Sequence, residues 1–291
     1  TGWFFGMQNA RIPMIITIAV NLINIGLSYW FVRVAGMKSD GVALGTLIAQ
    51  YCGLILALVF FYRNYRYMLP FWDKLGLFNI GKMKKFLIAN SDIFIRTLCL
   101  MFAFSFFRVQ SGKEGVILGS ANFILLEFIM ISAYGIDGFS FAAESVVGKY
   151  FGARDAWNFR KAIKISFQWG FGISITLVLL FYFFGREILQ ILTDNQEVIN
   201  AAMPFMGWLI FAPVIHAVPF IWDGIYIGIT ASKAMRNTML LSTFLFFLPT
   251  YYIFHGIMGN HALWLALTLL MLARGISQTV LAKHVIFNRL K

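Results

Sequence analysis

The sequence predicts an all-α integral membrane protein, a two-lobe bundle of parallel six-helix repeats. About eight full transmembrane helices and the stub of another fall within this chain. Three observations lead there. Sixty per cent of the residues are hydrophobic and only 12% are charged, with a mean hydropathy of +0.77, whereas soluble domains carry roughly 25% charged residues. Eight apolar runs are long enough to cross a membrane, which takes ~20 mostly apolar residues. The opening stretch GWFFGMQNARIP (2–13) is echoed by GIYIGITASKAMRN (224–237), so that Gly2, Gly6 and Arg11 correspond to Gly224, Gly228 and Lys233 at one constant offset.

Taken in order, a fragmentary first span ends in the turn before Arg11. Full spans follow near 13–35, 41–62, 86–109, 115–147, 157–184, 200–229, 238–258 and 261–285. No n-region, h-region and cleavage pattern of a secretory signal precedes them. Between the second and third spans, residues 63–85 are basic, aromatic and broken by Pro70. Such a stretch tends to lie on an inner leaflet with its cations at anionic headgroups. The expected organisation is therefore the end of one lobe over 1–62, a cytoplasmic linker over 63–85 and a second lobe over 86–291. Charge supports the alternation. With the Arg11 turn placed inside, seventeen of the 24 Lys and Arg fall in inside loops and five outside, while Arg96 and Arg274 lie within spans. Lys and Arg accumulate in cytoplasmic loops, so the net charge of +12 reads as topology rather than as nucleic-acid binding, and the C-terminus is expected to be cytoplasmic.

Five complete spans separate the opening stub from the span holding Gly224. A six-span period is even and puts both turns on one side of the membrane, so the two copies are parallel. Parallel repeats about an axis along the membrane normal are one of the architectures of secondary transporters. A twelve-span protein is implied, and the chain is expected to be a piece of it lacking the first three spans and most of the fourth. Cys52 and Cys99 sit in apolar runs and read as buried hydrophobes rather than a disulfide or metal site. No HExxH, CxxC, Walker or GxSxG pattern is present, so neither hydrolytic nor ATP-driven chemistry has a foothold. No metal site and no cofactor are expected.

Ionisable groups inside the membrane are costly and mark functional candidates. Asp92 and Arg96 stand four apart on one helix face; either they pair locally or Glu127 partners Arg96 across a helix interface, with Asn122 nearby in sequence. Asp137 and Glu144 are seven apart on one face, and Gly148-xxx-Gly152 permits close packing; these four are expected near a cytoplasmic mouth, in gating or packing, with substrate ligation the alternative for the two carboxylates. The span 200–229 holds Pro204, Pro213 and Pro219 with His216 and Asp223. Prolines kink helices, and His216 is either a proton-responsive group or a packed neutral ring. Arg274 is expected to pair with a carboxylate or a helix C-terminus. In the first lobe, Asn24 and Ser28 lie one turn apart and Thr46 follows on the next span. Such uncharged oxygens either join helices by hydrogen bonds or surround a cation or a protonatable carboxylate.

The stretches DIFIRTLCLMFAFSFF (92–107), YGIDGFSFAAESVVGKYFGARD (134–155) and DGIYIGITASKAMRN (223–237) resemble the DinF-like branch of the multidrug and toxic compound extrusion (MATE) transporters. GMQNARIP (6–13) is similar to that family's Gly-x-Gln-Asp-Thr-Arg-x-Pro turn after its fourth helix, and the resemblance runs from there to the end of helix twelve. It implies two six-helix lobes and efflux of cationic or amphipathic compounds in exchange for H⁺ or Na⁺. In many members an Asn, an Asp one turn later and a Thr on the next helix surround a helix-one carboxylate. Asn24 and Thr46 match two of these, whereas the Asp position is Ser28, which favours H⁺ over Na⁺. Some members carry an acidic cation site in helix ten, where this chain has His216, with Asp223 about two turns away.

The resemblance implies a cation-coupled multidrug antiporter of a bacterial inner membrane working by alternating access. Its partners would be small-molecule drugs or metabolites and membrane lipid, with no nucleic acid, and the protein would act as a monomer. A lipid-linked oligosaccharide flippase of the same superfamily is the alternative. A membrane enzyme or receptor fits less well, because the four His are scattered and a receptor leaves the repeat unexplained.

Overall fold

The computed structural model describes residues 2–71 and 79–286, except for the side chains of Phe71 and Lys85. The linker segment 72–78 and the basic residues Arg289 and Lys291 lie outside the described residues. Among these residues the chain is helical and contains no strand. It divides into two compact units, Thr1–Met83 and Lys84–Lys291, and among the described residues eight continuous helical stretches are long and apolar enough to cross a membrane.

The first unit contains α1 (Gly2–Gly6), α2 (Arg11–Arg33), α3 (Ser39–Tyr65) and a 3-10 turn at Arg66–Phe71. Its long helices meet through a stripe of small residues. Gly41, Gly45, Ala49 and Gly53 are buried at every fourth position of α3, and a Cβ on Gly45 would stand 3.0 Å from Ser28 Oγ and 3.1 Å from Ser28 N. With no hydrophobic drive between helices in lipid, close packing of this kind joins them.

The second unit contains α4 (Ile80–Lys113), α5 (Val116–Gly152), α6 (Ala156–Leu192), α7 (Gln196–Ala202), α8 (Met206–Gly228), α9 (Ser232–Leu241), α10 (Leu248–Met258) and α11 (His261–Val285). A 3-10 turn at Met203–Phe205 joins α7 to α8, and a π-helix at Ser242–Phe247 joins α9 to α10. The wide π turn falls just before Pro249, which lacks an N–H and crowds the preceding turn. α8 stays continuous through Pro213 and Pro219, so no helix break arises at His216. Helices α4, α5 and α6, at 34, 37 and 37 residues, outrun the apolar runs read from sequence. Their extra turns carry Lys82, Lys84, Lys113, Lys149 and Arg186; the backbone hydrogen bonds continue past the ~30 Å of hydrocarbon where hydropathy no longer signals a span.

α8 lies at the centre of this unit, against α5, α6 and α11. Its crossing with α5 is made by glycines: a Cβ on Gly148 would come within 2.9 Å of the Gly228 carbonyl oxygen, and Cβ atoms on Gly224 and Gly228 would run into the carbonyls of Ser140 and Glu144. Along α11 the tie is polar. Trp222 Nε1 donates to Thr279 Oγ1 at 2.8 Å and the Tyr226 hydroxyl to the Gln278 carbonyl at 2.8 Å.

The sequence echo is also an echo of backbone geometry. Gln8 has φ 60° and Thr230 φ 57°. The Gln8 and Asn9 N–H groups bond to Phe5 O (2.9 Å) and Phe4 O (3.0 Å), and those of Thr230 and Ala231 to Ile227 O (2.9 Å) and Tyr226 O (2.8 Å). Both are Schellman helix ends with the left-handed residue supplied by something other than glycine. A third such end, at Arg154 with φ 55°, leads to Asp155, which caps α6 by accepting from Asn158 N at 3.0 Å. The Asn158 side-chain amide, followed by its backbone N–H, holds the Asp155 carboxyl below its ordinary pKa. A left-handed L-residue costs ~1–2 kcal/mol, and Thr, being β-branched, is a poor occupant. Thr230 is exposed, so Thr230→Gly is expected to raise stability by about 0.5–1 kcal/mol after the glycine entropy cost, read as a higher Tm of the intact protein in detergent. A lower Tm would mean that the threonine side chain itself holds the turn.

Candidate functional site

The second unit encloses a buried charge centre. Asp223, on α8, is 4% exposed and Arg274, on α11, is 0% exposed. Arg274 and Gln278 lie one turn apart on α11 and reach the same carboxylate. Arg96, from α4, donates to Asp223 Oδ2 at 2.5 Å; Arg274 Nη2 donates to that same oxygen, and Gln278 Nε2 to Oδ1 at 2.8 Å. One carboxylate therefore serves two guanidiniums, and the Arg274 guanidinium also stands 5.8 Å from the Phe220 ring centroid. Burying charges is tolerable only when they are paired and hydrogen-bonded. Pairing here is incomplete: Arg96 Nε, Arg274 Nε, Gln278 Oε1 and His216 Nδ1 are all buried with no hydrogen-bond partner among the described residues.

Beside this centre lies a cavity of about 540 Å³, between α4 on one side and α5 and α8 on the other. Arg96 and Arg108 line it from α4, Asp137 and Glu144 from α5, and Asp223 and Phe220 from α8. Met101, Phe104, Met130, Tyr134 and Phe141 supply the apolar wall. The periodicity explains the assembly. Arg96, Leu100, Phe104 and Arg108 recur every fourth residue, and Met130, Tyr134, Asp137, Phe141 and Glu144 recur at three and four, so each helix presents one face. Asp137 and Glu144, expected in gating or packing, are wall residues of this cavity. Arg108, near the end of α4, joins them.

The other expected cavity residues go elsewhere. Asp92 and Arg96 do not pair with each other. Asp92, 2% exposed, accepts from Arg236 Nη1 at 2.5 Å and from the Ser232 hydroxyl at 3.1 Å, and lines a smaller pocket of about 430 Å³ with Thr230, Lys233 and Asn237. Helical spacing puts Asp92 and Arg96 on one face, but each finds a stronger partner on another helix. Glu127 is half-buried, lies outside the cavity wall and has no ion-pair partner among the described residues, so it does not partner Arg96. Asn122 belongs to a closed amide network: it donates to Ser111 Oγ and Asn260 Oδ1, both at 2.7 Å, and accepts from Asn260 Nδ2 at 3.0 Å and Trp264 Nε1 at 2.9 Å. That network ties the ends of α4, α5 and α11 and leaves the amide nothing to offer a ligand. His216 is buried edge-on to Phe220, with ring centroids 5.8 Å apart, and does not line the cavity. Gly148 packs as its spacing suggested, whereas Gly152, the last residue of α5, has open space around it.

In the first unit the structure brings Asn24, Ser28 and Thr46 together. Asn24 Nδ2 donates to Thr46 Oγ1 at 2.9 Å, the Ser28 hydroxyl to Asn24 Oδ1 at 3.4 Å, and Thr46 Oγ1 to the Val42 carbonyl at 2.9 Å. The small-residue stripe of α3 sets the approach that permits this triad. Two signals were open to sequence reasoning and were missed: the four-residue spacing of that stripe, and the charged ends of the α4 and α5 cavity faces. No group of His, Cys, Asp and Glu able to hold a metal occurs among the described residues.

Known proteins resemble the chain over nearly its whole length. The MatE family model matches residues 93–253. DNA damage-inducible protein F of Escherichia coli (strain K12) is 30% identical over 276 residues, a stretch covering 95% of this chain and 60% of that protein. The solved structure of the eukaryotic MATE transporter AtDTX14 superposes with a TM-score of 0.86 at 15% identity, over 99% of this chain and 65% of that one. A point mutant of the Vibrio cholerae MATE transporter VcmN gives 0.82 at 17% identity, over 98% and 64%. The chain thus spans less than two thirds of the length of each.

Proposed function

The chain belongs to the MatE family, a family of membrane transporters rather than enzymes, and on that premise we propose that it forms part of a cation-coupled efflux antiporter for cationic or amphipathic small molecules. The cavity of about 540 Å³ carries this reading. Its volume is within the ~300–1,000 Å³ of small-molecule sites, and methionine and aromatic walls with a few charges suit varied apolar cations. Efflux would proceed by alternating access of two lobes, from the cytoplasmic side of a bacterial inner membrane, with the C-terminus inside and the protein acting as a monomer.

H⁺ is the coupling ion of this proposal. Asn24, Ser28 and Thr46 offer only uncharged oxygens, and Ser28 stands where the family resemblance calls for an Asp. A proton moving onto a single carboxylate would need no more than these hydrogen-bonding neighbours, whereas Na⁺ would lack one anionic ligand. A flippase for pyrophosphate-linked lipids would call for a cationic cavity. Here Arg96 and Arg108 are met by Asp137, Glu144 and Asp223, so the antiporter reading is favoured.

The test uses the intact protein in inverted vesicles bearing an imposed pH gradient, with ethidium as the probe. Dye-dependent loss of the gradient without sodium is the expected result. Dye uptake driven by sodium alone would overturn proton coupling, and no dye or proton movement under either ion would move the flippase reading forward.

A further inference from the structure

The charges at the 540 Å³ cavity and behind its wall, Arg96, Arg108 and Arg274 against Asp137, Glu144 and Asp223, are balanced but not closed on one another. Arg96 and Arg274 together face one carboxylate, Asp223, leaving one positive charge in excess. Arg96 is the member that reaches the cavity, with 17% of its side chain exposed. Across the space stands Asp137, half-buried, within electrostatic reach of Arg96, Arg274 and Asp223, yet with no hydrogen bond or ion pair among the described residues. Arg96 and Asp137 could neutralise each other only by meeting, and the cavity holds them apart. Each is left short of a counter-ion in a setting where an unpaired charge is costly. A cationic guest answers Asp137 and leaves Arg96 in excess; an anionic guest does the reverse.

The geometry points to a zwitterion subsite: a head group carrying an ammonium toward Asp137 and a carboxylate or phosphate toward Arg96, with an apolar tail along Met101 and Phe104. This deepens the proposed function and rests on its reading of the cavity as the substrate chamber. Arg96 is suited to the anionic end because a guanidinium offers five N–H donors in a planar fork, and among its hydrogen bonds to described residues only that to Asp223 is formed. Glu144, seven residues beyond Asp137 on the same wall, extends the negative side for a bulkier ammonium.

Binding to the intact protein in nanodiscs of phosphatidylglycerol tests this with three probes sharing one tail: N-dodecyl-N,N-dimethylglycine, dodecyltrimethylammonium and dodecanoate, below their micellar concentrations. The zwitterion is expected to bind about tenfold tighter than either singly charged probe, since only it makes both charge-assisted contacts. Arg96→Gln, in which Arg274 still neutralises Asp223, is expected to reduce the zwitterion to the level of the cation. Asp137→Asn, which breaks no pair, is expected to reduce it to the level of the anion. Equal binding of zwitterion and cation to the unaltered protein would overturn the subsite, as would a preference surviving both substitutions. Repeating the measurement in phosphatidylcholine identifies the source of the head group: competition by that lipid assigns the subsite to a lipid head group, and undiminished binding to a diffusible amphiphile. Zwitterion preference without dye-coupled proton movement would refute antiport and leave the subsite standing. Dye antiport without zwitterion preference would refute the subsite alone.

Discussion

Replacing Asp223 by asparagine is expected to lower the Tm of the intact protein by on the order of 10 °C, the scale of breaking a buried ion pair at ~3–5 kcal/mol. The charge count at the centre decides this. Asp223 is the sole carboxylate in ion-pair contact with either guanidinium among the described residues, and its loss leaves a buried and a half-buried cation facing each other. Removing Arg274 instead leaves a one-to-one pair between Asp223 and Arg96. Arg274→Met is therefore expected to cost less than Asp223→Asn, although the side chain deleted is larger and fully buried. Thermal unfolding of the two variants in the same detergent checks the order. A larger loss for Arg274→Met would mean that packing of the arginine stem, rather than charge neutralisation, holds α8 to α11.

Gly224→Ala is expected to destabilise by about 1–3 kcal/mol, as overpacking does, and to do so chiefly through backbone. The added methyl would meet the Ser140 carbonyl, which cannot rotate away as a side chain tip can. It would also press on the Ser140 hydroxyl, which donates to the Phe220 carbonyl at 2.7 Å. Parting α5 from α8 separates Asp137 and Glu144 from Asp223, so probe binding in the cavity should weaken along with stability. Gly172→Ala provides the contrast: no atom lies within 4 Å of that Cβ, and in a helix interior the change should be neutral or stabilise by up to ~1 kcal/mol. Equal Tm values for the two variants would show that α5 and α8 can separate without loss.

The spans were legible because lipid imposes a length and an apolarity that few other settings impose. Their ends were not, because α4, α5 and α6 continue as helices into charged turns. The repeat could be read from Gly2, Gly6 and Arg11, but its left-handed residues could not, since Gln8 and Thr230 are not the glycines that such a position advertises. The charge centre was half legible. Rarity marked Asp92, Arg96, Asp223 and Arg274, but spacing along one helix suggested a local pair where the partners lie on other helices, at Arg236 and Asp223. Asn122 shows the same limit: a polar residue in a span announces that it has a partner, and only the fold tells whether that partner is a ligand or Asn260.

The π-helix at Ser242–Phe247 bears on how the two copies should be aligned. A π turn accommodates one more residue than an α turn over a similar rise, and α2 has no such turn. The constant offset that links Gly2 to Gly224 therefore holds only up to this point; beyond it a gap of one residue is required. With the gap, the counterparts of Asn24 and Ser28 are Phe247 and Tyr251, both buried in the apolar core. The duplicated halves have kept a common turn while their following helices have diverged in chemistry, one into an amide and hydroxyl cluster and the other into an aromatic one.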